Sequence, residues 1–286
     1  MKTNTKHIKR FGYNGLVAAV TLLLSATAAW SIEYDLTTVN SVSVPGDVGG
    51  YAIFANYWEQ PAGTGVFDPF LTIENKLIEQ GYNTDGASAL YMNQTRPHWN
   101  TTLKVGSLAS VELNGVQYYS FILDANEPGG AKSVLSIDNI RIYTSAMDNT
   151  GAVGSDINML PNLGTLRWAL NDPTLNTGGG YNATDWVKLD GNQENVGYKS
   201  NGGSGQADMI LYVPVASFGN ASGSDFVWFY NLNGVKYSAD RNLASEAGFE
   251  EWRACVSTRT VPDGGFTVGL LGLALAAMGI VARKFA

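Results

Sequence analysis

The stretch Ser110-Val-Glu-Leu-Asn-Gly-Val-Gln-Tyr-Tyr-Ser-Phe-Ile-Leu123 decides the fold class of this chain. Its centre is Asn114-Gly115, a pair that suits the two positive-φ positions of a type I′ turn. Side chains alternate between apolar and polar as the sequence runs away from this pair, which is the period of a strand with one buried face. The stretch therefore predicts a β-hairpin.

A second stretch, residues 226–237, contains the same Leu-Asn-Gly-Val-x-Tyr pattern around Asn233-Gly234. We interpret the two copies as two hairpins rather than as a repeat protein. Other short β-prone runs are bounded by Gly, Pro, Asn or Asp, as strands are. They lie at residues 51–55, 70–73, 89–92, 134–143, 165–170, 186–189 and 209–213.

One segment, residues 242–255, has a helical pattern and is predicted to be a short helix. Short strands at turn-punctuated spacing dominate the rest, and this is typical of an all-β fold. We predict a single β-sandwich of jelly-roll type over residues 29–257. The chain has one cysteine, Cys255, so this fold is expected to rest on packing rather than on an intramolecular disulfide.

The N-terminus has the three parts of a secretory signal peptide. Basic residues come first, an apolar run at residues 16–24 follows, and small residues at 25–29 end the segment. Cleavage by signal peptidase is expected after Ala28, which makes residues 1–28 a signal peptide and the protein an exported one. An uncleaved N-terminal anchor is the alternative.

The C-terminus is also built in three parts. Val261-Pro-Asp-Gly-Gly265 breaks regular structure, an uncharged apolar run occupies residues 266–282, and Arg283-Lys284 follow. As a helix the run is about 25 Å long, slightly short of a ~30 Å hydrocarbon core. We predict a linker and motif at 258–265, a transmembrane helix at 266–282 and a cytoplasmic end at 283–286, with the body outside the membrane.

This tail resembles the exosortase sorting signals of the PEP-CTERM class, in their VPDSG-CTERM variant. The matching residues are Val261, Pro262, Asp263 and Gly265, whereas Gly264 stands where the variant usually has serine. The resemblance implies that an exosortase-type membrane protease cuts the tail and that the body goes to the cell surface or the extracellular matrix. A membrane anchor that is never cut is the alternative. Segments 65–71, 79–85, 135–143 and 247–252 are similar to segments of other uncharacterised exosortase-sorted proteins.

The charge of the chain argues against one class of partner. Lys and Arg number 18 against 25 Asp and Glu, and six of the basic residues lie in residues 1–28 and 283–286, which contain no acid. Residues 29–265 therefore carry a net charge of −13. Binding to nucleic acid or to anionic lipid needs a basic face, so we predict no nucleic-acid partner.

Catalytic chemistry has little support in the sequence. His7 lies in the predicted signal peptide, which leaves His98 as the one histidine of the body. Glycoside hydrolysis would need two carboxylates facing each other across a cleft, and the adjacent Glu250 and Glu251 cannot share a face of a strand or helix. We predict a non-enzymatic protein, with a secreted glycan hydrolase as an alternative.

Calcium is the metal that the sequence favours. Asp124, Asn126 and Glu127 follow the predicted hairpin strand and place hard oxygen ligands on one turn. The later positions do not match an EF-hand loop, so Asp138 from the following strand would have to complete a site of another type. A solvated turn rich in Asx residues is the alternative.

Carbohydrate binding is the main alternative to a purely structural or adhesive role. Sandwich proteins can stack sugars on exposed aromatic rings, and Trp58 and Trp99 lie beside turns where exposure is expected. Trp228 lies in an apolar run and is expected in the core. We expect an exported surface or matrix protein, and under the carbohydrate-binding alternative its partner is extracellular polysaccharide.

Overall fold

The computed structural model describes residues 31–59, 68–171, 184–191, 207–246 and 248–257, with the side chains of Trp58 and Glu59 left out. The predicted signal peptide, the motif at 261–265, Arg283, Lys284 and the apolar run at 266–282 lie outside these ranges.

The strands are β1 (Glu33–Asp35), β2 (Ser41–Gly46), β3 (Gly50–Glu59), β4 (Leu71–Ile73), β5 (Glu79–Tyr82), β6 (Leu103–Lys104), β7 (Ser110–Leu113), β8 (Val116–Asp124), β9 (Val134–Ser145), β10 (Thr165–Ala169), β11 (Trp186–Asp190), β12 (Ala207–Pro214), β13 (Phe226–Asn233) and β14 (Glu250–Ala254).

Short 3-10 helices occur between the strands of the described chain. They cover Pro97–Trp99, Val105–Ser107, Gly130–Lys132, Thr150–Ala152, Ile157–Leu163, Val215–Phe218, Val235–Ser238 and Arg241–Leu243.

The described strands form two seven-stranded sheets. The first sheet has the order β1-β11-β9-β13-β5, with β10 paired to β9 and β6 paired to β13. The second sheet has the order β2-β3-β12-β8-β14-β4, with β7 paired to β8. Pairing is antiparallel except between β1 and β11, which run parallel.

Aromatic side chains from both sheets fill the space between them. The Phe229 ring of the first sheet lies 5.1 Å from Phe121 and 4.7 Å from Trp252 of the second, measured between centroids. All three side chains are fully buried. Large apolar groups removed from water on facing sheets are the main favourable contribution to such a fold. The all-β prediction is confirmed, as two sheets around a shared core.

The predicted hairpin at 110–123 is confirmed as β7 and β8. Asn114 and Gly115 have φ angles of 51° and 81°, as a type I′ turn requires, and Leu113 pairs with Val116 across the turn. Inward-facing Phe121 and Leu123 join the central core, while Ile122 belongs to an apolar cluster on the other face of the sheet. Successive side chains of β8 therefore alternate between the shared core and the other face of the sheet, as the sequence pattern predicts.

The second predicted hairpin, around Asn233-Gly234, is wrong. Asn233 remains in β13 opposite Glu79, and the chain after Gly234 enters the 3-10 helix Val235–Ser238 instead of returning as a strand. Gly234 has φ 81°, and its N–H donates to the Ser136 carbonyl oxygen at 2.8 Å. The buried Asn233 side chain donates to Glu79, so a tertiary contact overrides the local turn preference.

The two Asn-Gly glycines provide a matched prediction. Gly234→Ala is expected to lower the free energy of unfolding several times more than Gly115→Ala does, although both positions have φ 81°. A Cβ at 234 would collide with the Leu77 carbonyl oxygen, whereas one at 115 meets nothing within 4 Å. The left-handed backbone alone costs about 1 kcal/mol. Urea unfolding of both variants measures the difference, and equal losses would contradict this account of position 234.

Two other element predictions are also wrong. The predicted helix at 242–255 is not formed: this segment contains the end of the 3-10 helix Arg241–Leu243 and the strand β14. The strand forms because β14 pairs with both β8 and β4, which places Trp252 between the sheets. Residues 89–92 form no strand. Tyr91 instead stacks on Tyr82 at 6.3 Å, and Met92 has φ 57°, which ends extended structure.

Candidate functional site

Three glutamates from three separate segments meet inside the protein. Glu79 lies on β5 of the first sheet, Glu250 on β14 of the second, and Glu127 in the connection between β8 and β9. Their exposed fractions are 0%, 0% and 2%. The Glu250 carboxyl group is close enough to the carboxyl groups of Glu79 and Glu127 to affect the pKa values of both. We call these three residues the carboxyl cluster.

The strand pattern positions each member of the carboxyl cluster. Glu250 and Trp252 are two residues apart on β14, so both side chains point into the space between the sheets. β5 pairs with β13 at the edge of the first sheet, which places Glu79 opposite Asn233. Ala125, two residues before Glu127, is buried in the same core.

A chain of hydrogen bonds connects the carboxyl cluster to the core. The Trp252 indole N–H donates to Asn231 Oδ1 at 2.9 Å. Asn231 Nδ2 donates to Asn233 Oδ1 at 2.9 Å, and Asn233 Nδ2 donates to Glu79 Oε1 at 2.7 Å. The first of these bonds joins the second sheet to the first, and the other two lie within the first sheet. The network therefore crosses the sandwich and stabilises one arrangement of the two sheets.

Burial favours the protonated form at the centre of the carboxyl cluster. Among the described residues no side-chain amide or hydroxyl donor reaches either oxygen of Glu250, so a hydrogen bond from this group to Glu79 or Glu127 requires a carboxyl proton. Burial is the main cause that raises the pKa of Glu250 well above its ordinary value, and the neighbouring Glu79 raises it further. Burial also raises the pKa of Glu79, against the hydrogen bonds that stabilise its ionised form.

Glu127 is the member of the carboxyl cluster nearest to charged surface groups. Its carboxylate accepts the Glu246 backbone N–H at 3.0 Å, and the Glu246 side chain forms a 3.1 Å ion pair with the exposed Lys132. Burial raises the pKa of Glu127 to about 8, and the charge of Glu79 contributes in the same direction. This carboxyl therefore also favours its protonated form at neutral pH.

A second carboxyl pair lies on the opposite face of the second sheet. Glu251 and Asp124 are cross-strand partners on β14 and β8, and both are buried. Burial first, and Asp124 second, raise the pKa of Glu251 to about 8. As expected from their adjacency, Glu250 and Glu251 do not share a face.

The four predicted calcium ligands are not brought together. Glu127 belongs to the carboxyl cluster, and Asp124 lies across from Glu251. Asn126 packs its amide against Gly248.

Asp138 lies on β9, where its carboxylate accepts hydrogen bonds from the Ser136 hydroxyl and the Val235 backbone N–H. Burial raises the Asp138 pKa to about 7. Within the described ranges, no three Asp, Glu, His or Cys side chains are placed to hold one metal ion.

The predicted aromatic contacts for glycans occupy different environments. Trp58 lies on β3, and its side chain is outside the described residues. Trp99 is half-buried, with its ring 5.8 Å from Phe249 and the Arg96 guanidinium 5.9 Å from its ring centroid. His98 is exposed in the same 3-10 turn. Trp228 is fully buried, as expected.

A cleft of 510 Å³ opens at one end of the second sheet. It lies where the outer face of the sheet, meaning the face turned away from the shared core, meets segments 68–70 and 101–103. Side chains of both characters line it, among them Tyr57, Asp68, Thr101, Ile122, Arg253 and Cys255. Its volume falls in the ~300–1,000 Å³ range of small-molecule sites.

The carboxyl cluster and the cleft were not predicted from the sequence. Glu79 and Glu250 are 171 positions apart, and no spacing rule joins them. One local signal was available: Glu250 alternates with Trp252, so a strand assignment would have placed this carboxyl on a buried face. The two asparagines Asn231 and Asn233, which flank Leu232 in an otherwise apolar strand, are a second such signal.

Within the described residues, no helix has the length and apolarity to cross a membrane, and the run at 266–282 is not among them. Comparisons with protein-family models, with curated proteins and with solved structures give no significant match to this chain. The fold and the sites thus define an all-β, two-sheet protein with a buried carboxyl cluster and an open cleft.

Proposed function

We propose that this protein is an exported, exosortase-sorted component of the cell surface or extracellular matrix, with a non-catalytic, jelly-roll-like β-sandwich as its body. The observation that carries the proposal is the order of features at the C-terminus. A Val-Pro-Asp-Gly-Gly motif, an uncharged run at 266–282 and Arg283-Lys284 follow one another directly. The basic N-terminal segment and apolar run at 16–24 support export by signal peptidase processing.

The position of the carboxyl groups supports a non-catalytic body. A glycoside hydrolase presents two carboxyl groups to the sugar from opposite sides of an open site. Here Glu79, Glu127 and Glu250 are enclosed between the sheets, and Asp124 and Glu251 are buried on the outer face. None of these five lines the described cleft, where Asp68 is the one carboxyl among the lining residues.

The tail motif provides the experimental test of this proposal. In native cells we expect wild-type protein in the surface or released fraction without its apolar tail. A Pro262→Ala/Asp263→Ala variant is expected to remain full-length in the inner membrane, because the protease motif is disrupted while the apolar run is intact. Thr258→Ala, in the predicted linker, is the matched control and should be processed normally. Equal processing of both variants would contradict the role of the motif.

Carbohydrate binding is the second candidate function, and the cleft at the end of the second sheet favours it. The cleft combines an aromatic ring, that of Tyr57, with hydrogen-bonding groups from Asp68, Thr101 and Arg253. A surface protein with such a site would attach to extracellular polysaccharide without catalysing a reaction. The predicted Trp58 and Trp99 contacts are not needed for this site.

A further inference from the structure

The cleft on the second sheet has an amphipathic lining. Ile122 is 1% exposed and forms an apolar floor with Tyr57 alongside it. Asp68 and Thr101 are placed at the edge, and half-buried Arg253 completes the polar groups. A carboxylate accepts hydrogen bonds, a guanidinium donates them, and a hydroxyl does both. The ligand that matches is a compact one with an apolar ring face and hydroxyl groups around its edge.

Beyond the cleft lining, the outer face of the second sheet carries two further tyrosine side chains. On β12, Met209 and Leu211 face the shared core, whereas Ile210 and Tyr212 face outward and pack in the same cluster as Tyr57. The Tyr212 ring lies 6.2 Å from that of Tyr118 on β8, in an edge-to-face arrangement. Tyrosine rings offer an apolar face together with a hydroxyl group. Half-buried Tyr212 therefore lies on the same face of the sheet as Tyr57, where a second sugar ring would meet it.

Charges around the cleft select against an anionic ligand. Asp68 balances Arg253 within the lining, and residues 29–265 carry a net charge of −13. The negative charge of the body would repel a polyanionic chain. A purely apolar ligand would desolvate Asp68 and Arg253 without replacing their hydrogen bonds to water. Neutral sugars avoid both costs.

From these contacts we infer that the cleft is a binding site for a neutral hexopyranose chain, with the Tyr57 ring stacked on a sugar and Asp68, Thr101 and Arg253 bonded to its hydroxyls. This inference deepens the second candidate function and rests on it. It does not depend on tail processing, because binding is measured on purified protein whatever the fate of the tail.

The test uses the full chain purified in a detergent without a sugar headgroup. Cellohexaose, laminarihexaose and maltohexaose are the probes, titrated by calorimetry up to millimolar concentrations, with hexagalacturonate as the anionic comparison. Tyr57→Ala is expected to weaken binding at least tenfold, and Tyr57→Phe, which keeps the ring, to stay within about threefold. Tyr51→Ala is the matched control, since Tyr51 is on the same strand and 63% exposed but does not line the cleft.

Cys255 supplies a second readout at the same place. It is the one cysteine of the chain and lines the cleft, so a bound sugar should slow its alkylation by iodoacetamide in the wild type. Binding of at least one neutral hexaose, lost in Tyr57→Ala and accompanied by Cys255 protection, supports the inference. Binding of no neutral probe, binding of hexagalacturonate alone, or equal losses in Tyr57→Ala and Tyr51→Ala would overturn it. Each of these failures leaves the sorting test unaffected.

Discussion

The melting temperature of this protein is expected to fall by about 10 °C between pH 5 and pH 9. Folding holds protons on Glu79, Glu127 and Glu250, whose pKa values are all raised by burial. The pKa of Glu127 alone rises from 4.5 to about 8. Since a pKa difference of one between the folded and unfolded chains corresponds to about 1.4 kcal/mol, the raised pKa of this carboxyl lowers the free energy of unfolding at pH 9 by on the order of 5 kcal/mol. For a domain of this size, 1 kcal/mol changes the melting temperature by about 2–4 °C.

The sign follows from proton linkage. Below the ordinary glutamate pKa, both the folded and the unfolded chain are protonated, and the carboxyl cluster costs nothing. Above it, the unfolded chain releases protons that the folded chain retains, so the free energy of unfolding decreases as the pH rises. The loss continues through about pH 8, where the folded Glu127 and Glu251 carboxyls ionise.

Glu250→Gln tests the cause of this slope. The glutamine keeps the shape of the side chain and provides N–H donors for Glu79 and Glu127 without an ionisable group. We expect the variant to be more stable than the wild type at pH 9 and its pH dependence to be shallower. Glu112→Gln, at an exposed position on β7, is the control and should leave the wild-type slope unchanged. A wild-type melting temperature that is flat from pH 5 to pH 9 would contradict proton sharing.

Trp252→Ala is expected to lower the free energy of unfolding by about 3–5 kcal/mol, the usual cost of truncating a large core aromatic. The indole is fully buried and its ring centroid lies 4.7 Å from that of Phe229 in the facing sheet. The truncation also removes the donor to Asn231, which is the first step of the hydrogen-bond chain to Glu79. Urea unfolding monitored by circular dichroism gives the value.

Two matched variants separate packing from hydrogen bonding at this position. Trp252→Phe keeps a ring but leaves Asn231 Oδ1 without its indole donor, and should cost about 1–3 kcal/mol. Trp99→Ala removes a half-buried ring packed on Phe249 and should cost about 1 kcal/mol or less. If Trp252→Ala were no more destabilising than Trp99→Ala, the placement of β14 between β8 and β4 would be wrong.

Local signals were enough to predict most of the fold. The hairpin of β7 and β8 follows from Asn114-Gly115, because the turn geometry is set by adjacent residues. The same dipeptide pattern at 233–234 gave a wrong hairpin, since the Asn233 side chain is held by Glu79 from a strand 154 positions away. The strand β14 was predicted as a helix for a similar reason: its pairing with β8 and β4 has no counterpart in local periodicity.

The sites were harder to predict than the strands. The carboxyl cluster combines residues of β5, β14 and the β8–β9 connection, and only the pairing of the sheets brings them together. The predicted calcium set assumed that neighbours in sequence stay neighbours in space. Asp124 instead pairs with Glu251 across β8 and β14, whereas Glu127, beyond the end of β8, lies beside Glu250 and Glu79.

We propose that the tail at 261–286 is a processed sorting signal on an exported two-sheet body. Intact-mass spectrometry of the protein recovered from its native cells tests it most directly. We expect a chain that starts close to residue 29 and ends near Asp263, without the apolar run. A mature chain that still ends at Ala286 would contradict it and leave a membrane anchor in place of a sorting signal.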